Sequence, residues 1–457
     1  MKTTSKVIAS LLAASLAFGS AGYAAEKVDT GKSESSQDRK IVARVEAERA
    51  IGHVKYLSEI IGTRPGGLDG EHNAAAYVAK TLKSYGYDVE YQYFPVADQF
   101  IANVRLADGK VWEMGAAPNG SISEKSVKGE IIFVPEGKNA KDFSNAAGKI
   151  VLMPRGATVS DYRAQVKLAE EAGAKGVILQ SLIGGRGNYG QAFNPNLSQK
   201  VGIPVYGASY IHGQWLKEEI AKGNKEVALT AKHYSNLQSV NVIATKQAKT
   251  KSHETKEVIL GAHHDSVVGA PGANDNASGI GLMLELARVY KGYNTDKDLK
   301  FISFGSEERG LLGSTHYVDQ LSKEEKKNIE AVFVPDMVAT NYDKAKNLYA
   351  MTVDGSRNTV TESTMSAGAR LGNSDILPGT FGSSDHVPFH RAGIPAALFI
   401  WMGVDSWEPL VYHIEKVYHT PQDTIADNVS PERMQSALDI IGSGLFDVVR
   451  KDVPPVK

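Results

Sequence analysis

The chain has 457 residues, 42% of them hydrophobic and 23% charged, with 51 basic and 52 acidic side chains and a formal net charge of −1. Such a length suggests two or three domains, and the charge balance gives no electrostatic case for nucleic acid or an acidic membrane surface. There is no cysteine, which excludes disulfides, thiol catalysis and cysteine-held zinc, so any metal must sit among His, Asp and Glu.

The chain opens with Lys2 and Lys6, an apolar run over 7–18, and Gly22-Tyr23-Ala24, with small residues at the two cleavage-determining positions. Twelve apolar residues are too few to span a bilayer. Residues 1–24 read as a secretory signal peptide cut after Ala24, and the protein as secreted, extracellular or periplasmic. Residues 25–40, "AEKVDTGKSESSQDRK", are polar and expected to form a flexible mature N-terminus. Apolar residues then recur at helical spacing over 41–61. "GTRPGGLDGEHNAAAYVAKTLKSYGYDVEYQYF" gives a Gly/Pro turn, an Ala-rich helix stopping near Gly86, and a strand.

From about 100 to 236 the texture changes to short strands with many glycines and turns. Within it "GKIVLMPRGATVSDYRAQVKLAEEAGAKGVILQ" reads strand, turn, helix, glycine turn, strand. After "SVNVIAT" the pattern becomes regular. "EVILGAHHD", "LKFISFGSEE", "AVFVPDMV" and "PAALFIW" read as strands, and "ASGIGLMLELARVY" and "GLLGSTHYVDQL" as helices. This alternation argues for a doubly wound α/β sheet.

Such sheets place their sites in the crevice beyond the carboxyl ends of strands. His263 closes one of these strands, Glu307 and Glu308 follow another, and Asp336 closes a third. Asp275 stands between Asn274 and Asn276 at a helix N-terminus. Taken singly, each carboxylate is explained by capping a helix or a turn. Capping does not explain why they gather at strand ends, two of them adjacent after one apolar strand.

The residues resemble those of the co-catalytic di-zinc aminopeptidases, relatives of glutamate carboxypeptidase and transferrin receptor. The resemblance runs from about residue 50 to 445 through "AHHDSVVGAPGANDNASG", "FGSEERGLLGS", "PDMV", "SSDHVPFHRAGIP" and "YHTPQDT", in that order. It is especially close to secreted bacterial aminopeptidases with an inserted protease-associated domain, here signalled by "IVLMPRG" and "AEEAGAKGVILQ". The implied fold is a doubly wound mixed α/β sheet, zinc aminopeptidase/phosphorylase-hydrolase-like. Its catalytic domain takes 41–99 plus 237–450, and a β-rich insert, read by analogy as a lid or substrate-access module, takes 100–236.

The resemblance implies two Zn2+ per chain and peptide or protein N-termini as substrate. His263 and Asp336 would bind one zinc, Glu308 and His419 the other, and Asp275 would bridge them. Glu307 would be the general base and the Tyr418 hydroxyl would stabilise the tetrahedral intermediate. Asp265 would orient the His263 ring, leaving His264 a bystander. Zinc chemistry agrees with this set, since zinc takes imidazole nitrogen and carboxylate oxygen and a catalytic site keeps a position open for water. His386, His390 and His413 remain open between site and structural roles, as do Trp401 and Tyr412 between pocket and core. The rival functions are a carboxypeptidase or dipeptidase on the same fold, a non-catalytic binding protein with a relic site, and a single-zinc cyclase.

Overall fold

A run that is apolar at every position must be covered on both faces, and the second half of the chain obeys this rule. The computed structural model describes residues 36–450 except 185–186, 251 and 253–254. The expected signal peptide, 1–24, and residues 25–35 lie outside the described residues. Strand β1 (Asp88–Val96) is followed by β2 (Gln99–Leu106), β3 (Val111–Ala116), β4 (Val127–Phe133), β5 (Ile150–Pro154), β6 (Gly176–Gln180), β7 (Val205–Ala208) and β8 (Glu226–Tyr234). Then come β9 (Leu237–Lys246), β10 (Glu257–His263), β11 (Asp298–Phe304), β12 (Ile329–Pro335), β13 (Asn347–Thr352), β14 (Ile376–Thr380), β15 (Ala396–Trp407) and β16 (Leu410–His413).

β1 and β9–β16 form one nine-stranded sheet, ordered β1-β9-β11-β10-β12-β15-β13-β14 with β16 beside β15. Its centre, β11, β10, β12 and β15, is parallel, and β9 and β13 join the two sides antiparallel. Successive residues of the central strands enter different cores. Val258, Leu260, Ala331 and Phe333 pack with helices Ala47–Lys55, Asp69–Ser84, Ala277–Tyr290 and Pro431–Val449. Ile259, Val332 and Val334 pack with Tyr317, Val318 and Phe389 on the opposite face. The sheet is therefore mixed and covered by helices on both sides, as the alternating pattern led one to expect.

Helix Ala277–Tyr290 is buried at every position but Arg288. Its Gly281 permits a close crossing, since a Cβ there would lie 2.5 Å from the Ala50 carbonyl oxygen. Trp401 and Tyr412 are both buried in the core.

β2–β8 close a separate barrel, ordered β2-β3-β7-β6-β5-β4-β8, with its own apolar interior. β1 and β9 pair antiparallel with Val96 opposite Leu237. The barrel thus stands where a hairpin turn would otherwise be.

One expectation is corrected. Residues 36–40, read as flexible, belong to helix Ser36–Val42. Asp38 is buried and accepts two hydrogen bonds from the Arg370 guanidinium, at 2.8 and 2.9 Å. That partner lies 332 residues away, so local polarity could not reveal it.

Candidate metal centre

Because β11, β10 and β12 are parallel neighbours, their carboxyl ends open on one edge of the sheet. His263 is the last residue of β10, Asp336 follows β12, and Gly305 and Ser306 carry the chain from β11 to Glu307 and Glu308. Asp275 precedes helix Ala277–Tyr290, whose N-cap is Asn276 rather than the aspartate; the Asn276 side chain accepts from Gly279 N–H. The aspartate is left free to face the strand ends.

These residues form two groups that share one carboxylate. His263, Asp275 and Asp336 make the first, and Asp275, Glu308 and His419 the second, with the potential ligand atoms of each within 4.8 Å of one another. Asp275 Oδ1 lies 3.3 Å from His263 Nε2, and its Oδ2 lies 2.9 Å from His419 Nε2. His263 Nε2 is 3.6 Å from Asp336 Oδ1, and His419 Nε2 is 3.1 Å from Glu308 Oε1. Asp336 Oδ1, Glu308 Oε1 and His419 Nε2 are buried without a hydrogen-bond partner. Unpaired buried polar atoms are costly; a cation in the first group would satisfy Asp336 Oδ1, and one in the second would satisfy Glu308 Oε1 and His419 Nε2. The donor set, imidazole plus carboxylate, is one that zinc accepts.

Electrostatics makes the same demand. Burial, then repulsion from Glu308, Asp385 and Asp336, pushes the Glu307 carboxyl well above its usual range despite His263. Burial, reinforced by Asp275, raises Glu308 to about 7 although His419 opposes it. Burial alone would lower both histidines, but the surrounding carboxylates win and hold His263 and His419 well above the ordinary value. The Tyr418 phenol is likewise raised well above its usual range, by burial and by four nearby carboxylates. Without cations, this cluster must carry protons instead.

Backbone strain concentrates here. Of the five non-glycine residues at positive φ among the described residues, Ser306 precedes Glu307, Met337 follows Asp336, and His419 is itself in the second group. Each such residue costs on the order of 1–3 kcal/mol and persists only where its surroundings fix it. Ser306 is fixed by the buried Glu71, whose Oε1 accepts its N–H at 2.7 Å and its hydroxyl at 2.9 Å. Met337 N–H points to Asn276 Oδ1 at 3.3 Å.

Several residues that hold this frame were not singled out by the sequence. Fully buried Arg64 donates to the carbonyls of Leu57, Gly62, His264, Pro271 and Gly272, lashing the loop after β10 to the turn before helix Asp69–Ser84. Burial lowers its pKa to about 10, with Asp265 opposing, so it stays charged at neutral pH. Asp423 accepts the backbone N–H groups of Asn274 and Asp275 at 2.9 and 3.0 Å. Ser384 donates to Asp336 Oδ2 at 2.8 Å. Asp423 and Ser384 stand inside "YHTPQDT" and "SSDHVPFHRAGIP", where the signal lay unused.

Asp265 does more than its place behind His263 implies. It is 3.3 Å from His263 Nδ1, and its two oxygens accept the backbone N–H of Glu307 at 3.0 Å and of Glu308 at 3.1 Å. It thereby aligns the adjacent acids. His264 is buried with Nδ1 against Ser303 Oγ at 2.8 Å. His386 bonds the Phe381 carbonyl and His413 bonds Asp405. Neither of these, nor His390, joins either group.

Tyr418 stacks on His419 with ring centroids 3.6 Å apart. Together they line a cavity of about 600 Å³ whose other wall comes from the barrel, through Tyr162, Tyr189, Gln191 and Phe193.

Comparison with known proteins places this architecture. The model of peptidase family M28 matches residues 241–443, and that of the PA domain matches 114–216. The chain is 39% identical to aminopeptidase YwaD of Bacillus subtilis (strain 168) over 415 residues, covering 90% of this chain and 86% of that one. It is similar in structure to BSAP, a zinc aminopeptidase from Bacillus subtilis, with a TM-score of 0.64, 38% identity, and coverage of 90% of this chain and 97% of that chain. The aminopeptidase from Aneurinibacillus sp. strain AM-1 gives a TM-score of 0.57 at 34% identity, covering 92% and 97%. The chain belongs to peptidase family M28 and carries a PA domain within it.

Proposed function

We propose that the protein is a secreted di-zinc aminopeptidase that removes N-terminal residues from peptides. The observation that carries this reading is the placement of Asp275, whose two oxygens face two different histidines and so suit a bridge between two metals. His263 and Asp336 would hold one zinc, Glu308 and His419 the other. Zinc bound there supplies a Lewis acid for the scissile carbonyl and lowers the pKa of water. Glu307 takes the proton of the attacking water and delivers it to the leaving amine. The Tyr418 hydroxyl donates to the oxygen that becomes negative. Residues 41–99 plus 237–450 would form the catalytic domain and 100–236 the insert.

Export is supported by the N-terminal sequence pattern and by 29% identity to a protein of Mycobacterium tuberculosis named as a probable lipoprotein aminopeptidase. No helix among the described residues is long and apolar enough to cross a membrane.

The direction of attack follows from charge. Carboxylates beside the metals suit the cation of a free α-amino group, and the relatives are named aminopeptidases. A carboxypeptidase would need guanidinium groups to hold a terminal carboxylate. Arg391 is exposed at the end of helix His386–Arg391, and Arg64 is consumed by backbone carbonyls. Arg155, on the barrel wall of the cavity, is the residue that keeps the rival alive. An aminoacyl-nitroanilide should therefore be hydrolysed and its N-acetylated form should not. Equal turnover of both, or release of residues from the C-terminus of a peptide, would overturn the aminopeptidase reading and leave the hydrolase intact.

A further inference from the structure

We propose that Gln191, supplied by the inserted barrel, is a positioning residue for His419, so that the insert completes the metal centre instead of merely covering it. The proposal rests on the reading of His419 as a metal ligand. The side-chain oxygen of Gln191 meets His419 Nδ1. An amide oxygen only accepts, so His419 Nδ1–H donates to it, and with metal bound Nε2 is the nitrogen left without a proton. Nε2 is the atom that faces Asp275 Oδ2 and Glu308 Oε1. A partner behind a ligating imidazole fixes both its tautomer and its ring orientation.

His419 has unusual need of such a partner. It lies in a loop between β16 and helix Ile425–Asn428, at φ 60, and no regular element holds it. Gln191 is itself well held. Its carbonyl accepts the Ser181 hydroxyl at 2.6 Å, the neighbouring Gly190 carbonyl accepts Tyr210 N–H at 2.7 Å, and Phe193 N–H donates to Gly207 of β7 at 3.1 Å. Tyr189 stacks on Tyr210 and donates its N–H to the Lys416 carbonyl at 2.9 Å, three residues before His419. A second anchor fixes the barrel elsewhere on the loop after β10, where the Glu113 carboxylate accepts Gly269 N–H at 3.0 Å. The barrel is thus tied to both the first and the last of the segments that carry candidate ligands.

Because Gln191 is exposed on the cavity wall, water can replace it in part, and its loss should weaken rather than abolish binding. The test strips the full-length enzyme of metal and titrates it with zinc against a competing chelator. Gln191→Ala should weaken one of two binding constants by about tenfold or more, leave the other unchanged, and leave the melting temperature of the metal-free protein unchanged. Gln191→Glu, which restores an acceptor, should restore the affinity. Unchanged zinc affinity in Gln191→Ala, or equal weakening at both positions, overturns the proposal. His419→Ala measured alongside separates the two failures: retention of two tightly bound zincs there would remove the ligand assignment itself.

Discussion

Glu307→Gln is expected to keep two metal ions per chain and to lose about 10²–10⁴-fold in kcat, the usual contribution of a positioned general base. The substitution is nearly isosteric. The Glu307 backbone N–H would still reach Asp265 Oδ1, and Glu308, which the reading assigns to metal, would stay on Asp265 Oδ2. Only the proton acceptor disappears. Metal content by mass spectrometry and steady-state kinetics on the same preparation test this. Loss of metal together with activity would mean that base and ligand have been exchanged.

Asp275→Ala should have the larger effect on the metals themselves. Among the described residues its carboxylate is the only group common to both clusters, so its removal should empty or disorder both positions, whereas Glu308→Ala should mainly weaken one. The backbone around it should survive, because Asp423 holds the N–H groups of residues 274 and 275, not the Asp275 side chain. A variant with a native melting profile in the metal-free state and two retained zincs would end the bridging assignment.

The sequence displayed the sheet and the candidate ligands for the same reason: both follow from strand ends. Continuous apolar runs such as "EVILGAH" mark strands buried on both faces, and in a parallel sheet the next polar residue falls at the functional edge. His263, Glu307, Glu308 and Asp336 were legible that way. Their supports were less so. Arg64 acts through five backbone carbonyls, and no side-chain pattern advertises a carbonyl. Gln191 meets His419 across 228 residues and from the inserted barrel. Asp38 was misjudged for a related cause, since its polarity suggested solvent while Arg370 offered it a buried partner. In each case the deciding interaction is long-range, where periodicity and spacing carry no information.

The pairing of β1 with β9 bears on how the chain reaches this state. Their register puts Val96 against Leu237, so the sheet's edge joins segments separated by roughly 140 residues. Closing so long a disordered loop carries an entropic cost and slows the search for native pairs. A barrel that folds first shortens the search, because it brings its own two ends, β2 and β8, together as hydrogen-bonded neighbours. Pulse-labelled hydrogen exchange during refolding should then protect β2–β8 amides before those of β1, and the reverse order would refute it. The insert would in that case be a folding template for the edge of the peptidase sheet, written into the chain as an overgrown hairpin turn.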